Sequence, residues 1–118
     1  KDRSVFRTLK KNLSLIKLND DDRISISRAP ADTYLKANSK LKFDIIICDP
    51  PYELAEKMVE SDENQVYRTI NLAAKRLEKD GILILSWPEK LELPEIANLK
   101  LKQEKTYAGA KLGWYLFR

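Results

Sequence analysis

Residues 43–56 read FDIIICDPPYELAE: a run from Phe43 to Cys48 that is apolar except for Asp44, then an acid, two prolines and an aromatic. A short apolar run rich in isoleucine, bounded by such breakers, reads as a parallel strand covered on both faces rather than one with a wet face. Its end is abrupt. Asp49 precedes Pro50 and Pro50 precedes Pro51, so both are held extended and the chain is not expected to curl into a helix directly after the strand. Neither proline has an N–H, which leaves nearby carbonyls short of local donors. With the Asp49 carboxylate they form a fixed cluster of acceptors.

Such a cluster suits an amino group. Two N–H bonds are held by acceptors while the nitrogen lone pair is turned toward an electrophile, which is catalysis by positioning and electrostatics. Tyr52 adds a flat apolar face with a polar edge, suited to stacking on a base drawn out of its helix or loop. Asp and Pro are also ordinary turn residues, but here they close an apolar strand in a chain that alternates helix and strand. Ligands bind beyond the carboxyl ends of such strands.

That alternation is legible on both sides. Upstream, Asp2 to Leu18 places Val5, Leu9, Leu13 and Ile16 at helical spacing with lysines and arginines mostly off the stripe, an amphipathic helix. Residues 19–22, NDDD, break it. Arg23 to Arg28, RISISR, alternates isoleucine with serine in the two-residue period of a strand with one apolar face. Pro30 opens a helix expected through about Asn38. Downstream, Glu63 to Lys79 carries Val66, Ile70, Ala73, Ala74 and Leu77 on one stripe and ends in basic residues before Gly81, the composition of a helix C-terminus. Gly81 to Trp87, GILILSW, reads as a second buried strand stopped by Pro88, and Glu89 to Asn98 as a loop or short helix. Leu99 to Tyr107 and Lys111 to Arg118 alternate around Ala108-Gly109-Ala110, a closing β-hairpin. The sum is an α/β domain with a mostly parallel sheet and an antiparallel finish.

The 118 residues, 43% of them hydrophobic, suffice for a single domain spanning 1–118. With one cysteine, Cys48, and no histidine, an internal disulfide, the usual Cys/His zinc sets and any imidazole-dependent triad are excluded. Cys48 read as a nucleophile lacks a base partner, and core packing is the better reading. No stretch approaches the ~20 apolar residues of a membrane span, and the expected setting is a reducing cytoplasm. A formal charge of +4 permits nucleic acid as a partner without requiring it. Lys10, Lys11, Lys17, Lys100, Lys102, Lys105 and Lys111 are candidate phosphate contacts, though runs of charge are more often solvated faces. Trp87 and Trp114 are read as core or sheet-face residues, Trp114 the more exposed.

A strand followed by Asp-Pro-Pro-Tyr resembles the catalytic motif of amino methyltransferases that use S-adenosylmethionine. KDRSVFRTLKKNL at the start, FDIIICDPPYELA in the middle and EKTYAGAKLGWYLFR at the end together resemble the RsmD-type 16S rRNA guanine-N2 methyltransferases. The resemblance implies a Rossmann-like class I methyltransferase sheet of order 3-2-1-4-5-7-6, S-adenosyl-L-methionine as cofactor, and 16S rRNA or a small-subunit assembly intermediate as partner. Asp49 and the Pro50 carbonyl would accept from the target amine, Pro51 would stiffen the corner, and Tyr52 would stack on the base. Asp49 would also lie near the methionine end of the cofactor, with Ala31 and Asp32 near its adenine and Asp2 the nearest candidate for its ribose. Asp32 reads more readily as an ordinary acid in the first turn of a helix.

The chain departs from that family at its front. Its three glycines are Gly81, Gly109 and Gly113, so the glycine-rich turn and its strand, against which the methionine part of the cofactor lies, are missing. The expectation is therefore the C-terminal part of a longer methyltransferase. The alternatives are a DNA adenine-N6 methyltransferase and a non-catalytic RNA-binding form of the fold.

Overall fold

In the computed structural model, residues 3–58 and 65–117 are described. They form α1 (Arg3–Leu15), α2 (Ala31–Ala37), β1 (Phe43–Cys48), α3 (Tyr52–Met58), α4 (Gln65–Lys75), β2 (Leu77–Pro88), β3 (Leu99–Tyr107) and β4 (Ala110–Phe117). The expected start of α4 at Glu63, and Asp2 at the head of α1, lie outside the described residues.

The strands make one sheet of order β1-β2-β4-β3. β1 and β2 run parallel; β2–β4 and β3–β4 are antiparallel. The sheet is thus mixed, and the expectation of a mostly parallel one is corrected. The cause is residues 23–28: RISISR is not a strand among the described residues, because no described strand lies beside it to supply ladder hydrogen bonds and alternation alone cannot satisfy a strand backbone.

The core lies on one face. Leu83, Leu85 and Trp87 alternate inward from β2 and meet Val66, Ile70, Ala73 and Ala74 of α4, Ala55 of α3 and Tyr115 of β4. In β1 only Ile46 and Cys48 join them. Ile45 and Ile47 are 63% and 71% exposed, which corrects the expectation of a strand covered on both faces: Ile46 and Cys48 pack against the core on one side of β1, and nothing described covers the other. α1, though amphipathic as expected, buries none of its residues.

The junction between α4 and β2 also differs from expectation. The helix stops at Lys75, and its last carbonyls are capped from the β1 side: the Phe43 N–H donates to the Arg76 carbonyl at 2.8 Å and Lys42 Nζ to that of Lys75 at 2.7 Å. With those orphan acceptors satisfied, no glycine is needed at the cap. Gly81 serves instead where the register jumps from Phe43↔Leu77 to Ile45↔Ile82. A Cβ there would stand 2.8 Å from the Asp44 carbonyl oxygen and 2.7 Å from Leu77 Cδ1.

Residues 89–98 form an irregular loop tied down by the polar tips of side chains from the strands. Trp87 Nε1 donates to the Glu92 carbonyl at 3.0 Å, the Tyr115 hydroxyl to Pro94 at 2.7 Å and Lys111 Nζ to Leu91 at 2.8 Å. Buried aromatics with a polar end keep their hydrogen bond in this way. Trp87 is buried and Trp114 half-buried, in the order expected of them.

Candidate functional site

β1 ends at Cys48 and the corner follows at once. Asp49 is exposed, Pro50 half-buried and Pro51 exposed. Asp49 and Pro50 stay out of helix, as a residue before proline should. The chain then turns straight into α3, which was not expected: the Pro51 carbonyl accepts from the N–H groups of Leu54 at 3.0 Å and Ala55 at 3.2 Å, so Pro51 caps a helix whose first residue is Tyr52. The bar on helix conformation applies to residues that precede a proline, and Pro51 is the last of the pair. A hydrophobic anchor sets this helix, since Ala55 is fully buried against the core.

The corner therefore divides its carbonyls. That of Pro51 is used by α3; among the described residues, neither the Pro50 carbonyl nor the Asp49 carboxylate is engaged in a hydrogen bond. Two acceptors of different strength, one neutral and one anionic, stand at the carboxyl end of β1.

Tyr52 is held rather than free. Its hydroxyl lies 3.2 Å from Ser86 Oγ on β2, which fixes the ring from its far end. Tyr52 borders a wide-mouthed, largely open cavity of about 520 Å³ with Glu56, Pro88, Glu89, Lys90 and Gly109. The far wall is the turn after β2, locked to the hairpin turn by a reciprocal pair: the Glu89 N–H donates to the Gly109 carbonyl at 3.3 Å, and the Gly109 N–H to Glu89 Oε2 at 3.1 Å. Gly109 takes a positive φ of 79°, a conformation glycine adopts without strain. Glu56 on α3 and Lys90 on the far wall form an ion pair of 2.8 Å. Sequence reasoning missed Ser86, Glu56, Glu89 and Lys90. Only the four-residue spacing of Tyr52 and Glu56 was available to place two of the cavity's residues on one helix face.

The residues expected at the cofactor are not brought together to the same degree. Asp32 lies in the first turn of α2 and its Oδ1 accepts from the Thr33 N–H at 2.8 Å, the ordinary work of a first-turn acid. The Ala31 N–H has no acceptor among the described residues. Asp2 lies outside them. Asp49 and Ala31, expected at the methionine and adenine ends of the cofactor, thus present a carboxylate and an amide that are not hydrogen-bonded among the described residues. The glycine turn is not among this chain's residues.

Cys48, one residue before the corner, has its thiol pushed up to about 11 by burial. It is a neutral packing group at ordinary pH, as its place at the end of an apolar strand implied. No described helix is long and apolar enough to cross a membrane.

Residues 1–116 match the model of a family described as conserved hypothetical protein 95. No curated protein sequence matches. Among solved structures, one described as a conserved hypothetical protein of Streptococcus pyogenes shares 22% identity at a TM-score of 0.76, covering 100% of this chain and 68% of its own. An Escherichia coli structure described as "Putative methyltransferase yhhF" shares 24% identity at a TM-score of 0.74, covering 98% and 59%. A Haemophilus influenzae structure described as a "putative methylase" shares 22% at 0.72, covering 97% and 66%. At these identities the likeness is one of fold. The chain spans roughly two thirds or less of most of those structures.

Proposed function

The chain belongs to the conserved hypothetical protein 95 family, and from that premise we propose that it is the target-binding part of an S-adenosylmethionine-dependent methyltransferase that methylates the N2 amine of a guanine in 16S rRNA. The observation that carries this reading is the corner after β1. An exposed carboxylate and a free carbonyl, Asp49 and Pro50, stand beside a tyrosine ring pinned at its hydroxyl. Support comes from the strand order, β1-β2-β4-β3, which is that of strands 4-5-7-6 in the Rossmann-like sheet of class I methyltransferases. The fold shared with structures described as a "Putative methyltransferase" and a "putative methylase" supports it further. The three sequence blocks that resemble the RsmD-type enzymes favour guanine in rRNA over other amines.

The cofactor, when bound, supplies an electrophilic methyl group on a sulfonium. What this chain contributes is orientation. The Asp49 carboxylate and the Pro50 carbonyl each accept one N–H of the amine, which draws the nitrogen lone pair out of conjugation with the ring and aims it at the methyl. As the N–C bond formed and the methyl–sulfur bond broke to leave a neutral thioether, positive charge would develop on nitrogen, where the adjacent Asp49 carboxylate would stabilise it. Asp49 is placed to receive the proton that the nitrogen then sheds. Tyr52 holds the base plane by stacking on it.

The test uses the full-length protein with methyl-labelled S-adenosylmethionine, offered 16S rRNA, small-subunit particles and duplex DNA in parallel. Label in rRNA or the particle but not in DNA is the expected result. Label in DNA alone transfers the reading to adenine-N6 or cytosine-N4 chemistry. No cofactor binding by calorimetry overturns it in favour of a non-catalytic RNA-binding module.

A further inference from the structure

The cavity beside the corner carries one feature the proposed reaction does not use, the Glu56–Lys90 pair. We propose that Glu56 and Lys90 read the edge of the target base and select guanine against adenine, cytosine and other amino bases. The inference rests on the reading that the corner methylates an exocyclic amine, and it adds the residues that decide which base brings that amine.

Tyr52 and Glu56 are one turn apart on the same face of α3 and both line the cavity. A base that stacks on Tyr52 from the cavity, with its amine turned back toward Asp49 and Pro50 outside the cavity's lining, presents its hydrogen-bonding edge to Glu56 on α3 and to Lys90 across from it. Glu56 Oε1 and Lys90 Nζ stand 2.8 Å apart, so an acceptor and a donor are presented side by side. The far wall is fixed by the Glu89–Gly109 pair, which keeps Lys90 opposite α3.

The ring atom next to the methylated amine decides the match. In guanine, with N2 at the corner, that atom is N1 carrying a hydrogen, and beyond it lies the O6 acceptor. A carboxylate at Glu56 accepts from N1–H and the Lys90 ammonium donates to O6, both charge-assisted. In adenine with N6 at the corner, and in cytosine with N4 there, the neighbouring ring nitrogen bears a lone pair. It faces the Glu56 carboxylate and is repelled. The discrimination thus comes from a penalty on the wrong base as much as from a bond to the right one. Exchange of the Glu56–Lys90 contact for contacts to the base costs little beforehand, because an exposed ion pair is worth little.

The test needs a base that keeps the 2-amino group and reverses the rest of the edge. 2,6-Diaminopurine does so: its N1 is an acceptor and its 6-position a donor. An rRNA fragment methylated by the full-length protein is resynthesised with 2,6-diaminopurine at the methylated position. The wild-type protein is expected to prefer guanine by at least about tenfold in kcat/KM, the factor of one good base-edge pair. The double variant Glu56→Gln, Lys90→Met is expected to lose most of that preference while its melting temperature stays that of the wild type, since an ion pair with side chains 44% and 71% exposed contributes little to stability. Equal rates on the two bases with the wild-type protein, or an undiminished preference in the double variant, overturn the assignment and leave the amine chemistry standing. A protein that methylates no exocyclic amine overturns both.

Discussion

Cys48 and Asp49 are neighbours in sequence with opposite surroundings, and the strand end separates them. The Cys48 side chain faces the core and its thiol is pushed from 9.0 up to about 11 by burial. Because its proton is held more tightly in the folded state than in the unfolded chain, its contribution to stability is whole below about pH 9 and is lost as pH rises through about 11. Tyr115, raised by burial and by the nearby charge of Glu104, acts in the same direction. Urea unfolding at pH 8 and pH 10.5 is expected to show a marked loss for the wild type and a smaller one for Cys48→Ala; equal losses in the two proteins contradict the burial argument. Asp49 faces solvent at the corner. Its place in an extended, donor-poor turn was legible from residue types alone, since it stands directly before two prolines. The surroundings of Tyr52 were not legible, because Ser86 reaches its hydroxyl, 34 residues away in sequence, and Lys90 reaches the cavity only through the pairing of β1 with β2.

At the scale of elements, the body of α4 and the closing hairpin were read correctly, whereas residues 76–79, expected as helix, form a turn and the start of β2, and RISISR, expected as a strand, is none. α4 and the β3–β4 hairpin declare themselves by spacing, because each buries its stripe or pairs with its immediate neighbour. RISISR has a strand's alternation without a described partner. β1 has a buried strand's composition, yet Ile45 and Ile47 remain exposed, since composition records the capacity for burial and not which neighbours supply it. Gly81 looked like a helix cap and is the residue that lets β2 cross close to β1 after the register jump. That reading predicts a cost for any side chain there. In Gly81→Ala the new Cβ meets the Asp44 carbonyl oxygen at 2.8 Å, a backbone atom that cannot swing aside, and the expected destabilisation is roughly 1–3 kcal/mol by denaturant unfolding. Gly109→Ala, at a site with nothing within 4 Å, meets only the strain of its positive φ. A Gly81→Ala protein as stable as the wild type would show that the close approach of the strands is not what fixes glycine there.

At the scale of the molecule, the sheet carries the site at the carboxyl ends of β1 and β2, with the hairpin turn folded over to wall the cavity. This is where open α/β sheets place their ligands. The same sheet leaves one face of β1 uncovered among the described residues, and the chain is shorter than most of the structures whose fold it shares. Activity is accordingly a property to be measured on the full-length protein. The account stands on the claim that the Asp49–Pro50 corner orients a guanine amine for methylation, and product identity tests this most directly. After reaction with labelled S-adenosylmethionine, 16S rRNA is digested to nucleosides and the label located by mass spectrometry, with Asp49→Ala run beside the wild type. The predicted result is N2-methylguanosine from the wild type, reduced at least about a hundredfold in the variant, as for loss of a preorganised electrostatic group. Label on a ring carbon or ribose oxygen, or an Asp49→Ala protein that methylates as fast as the wild type, contradicts it.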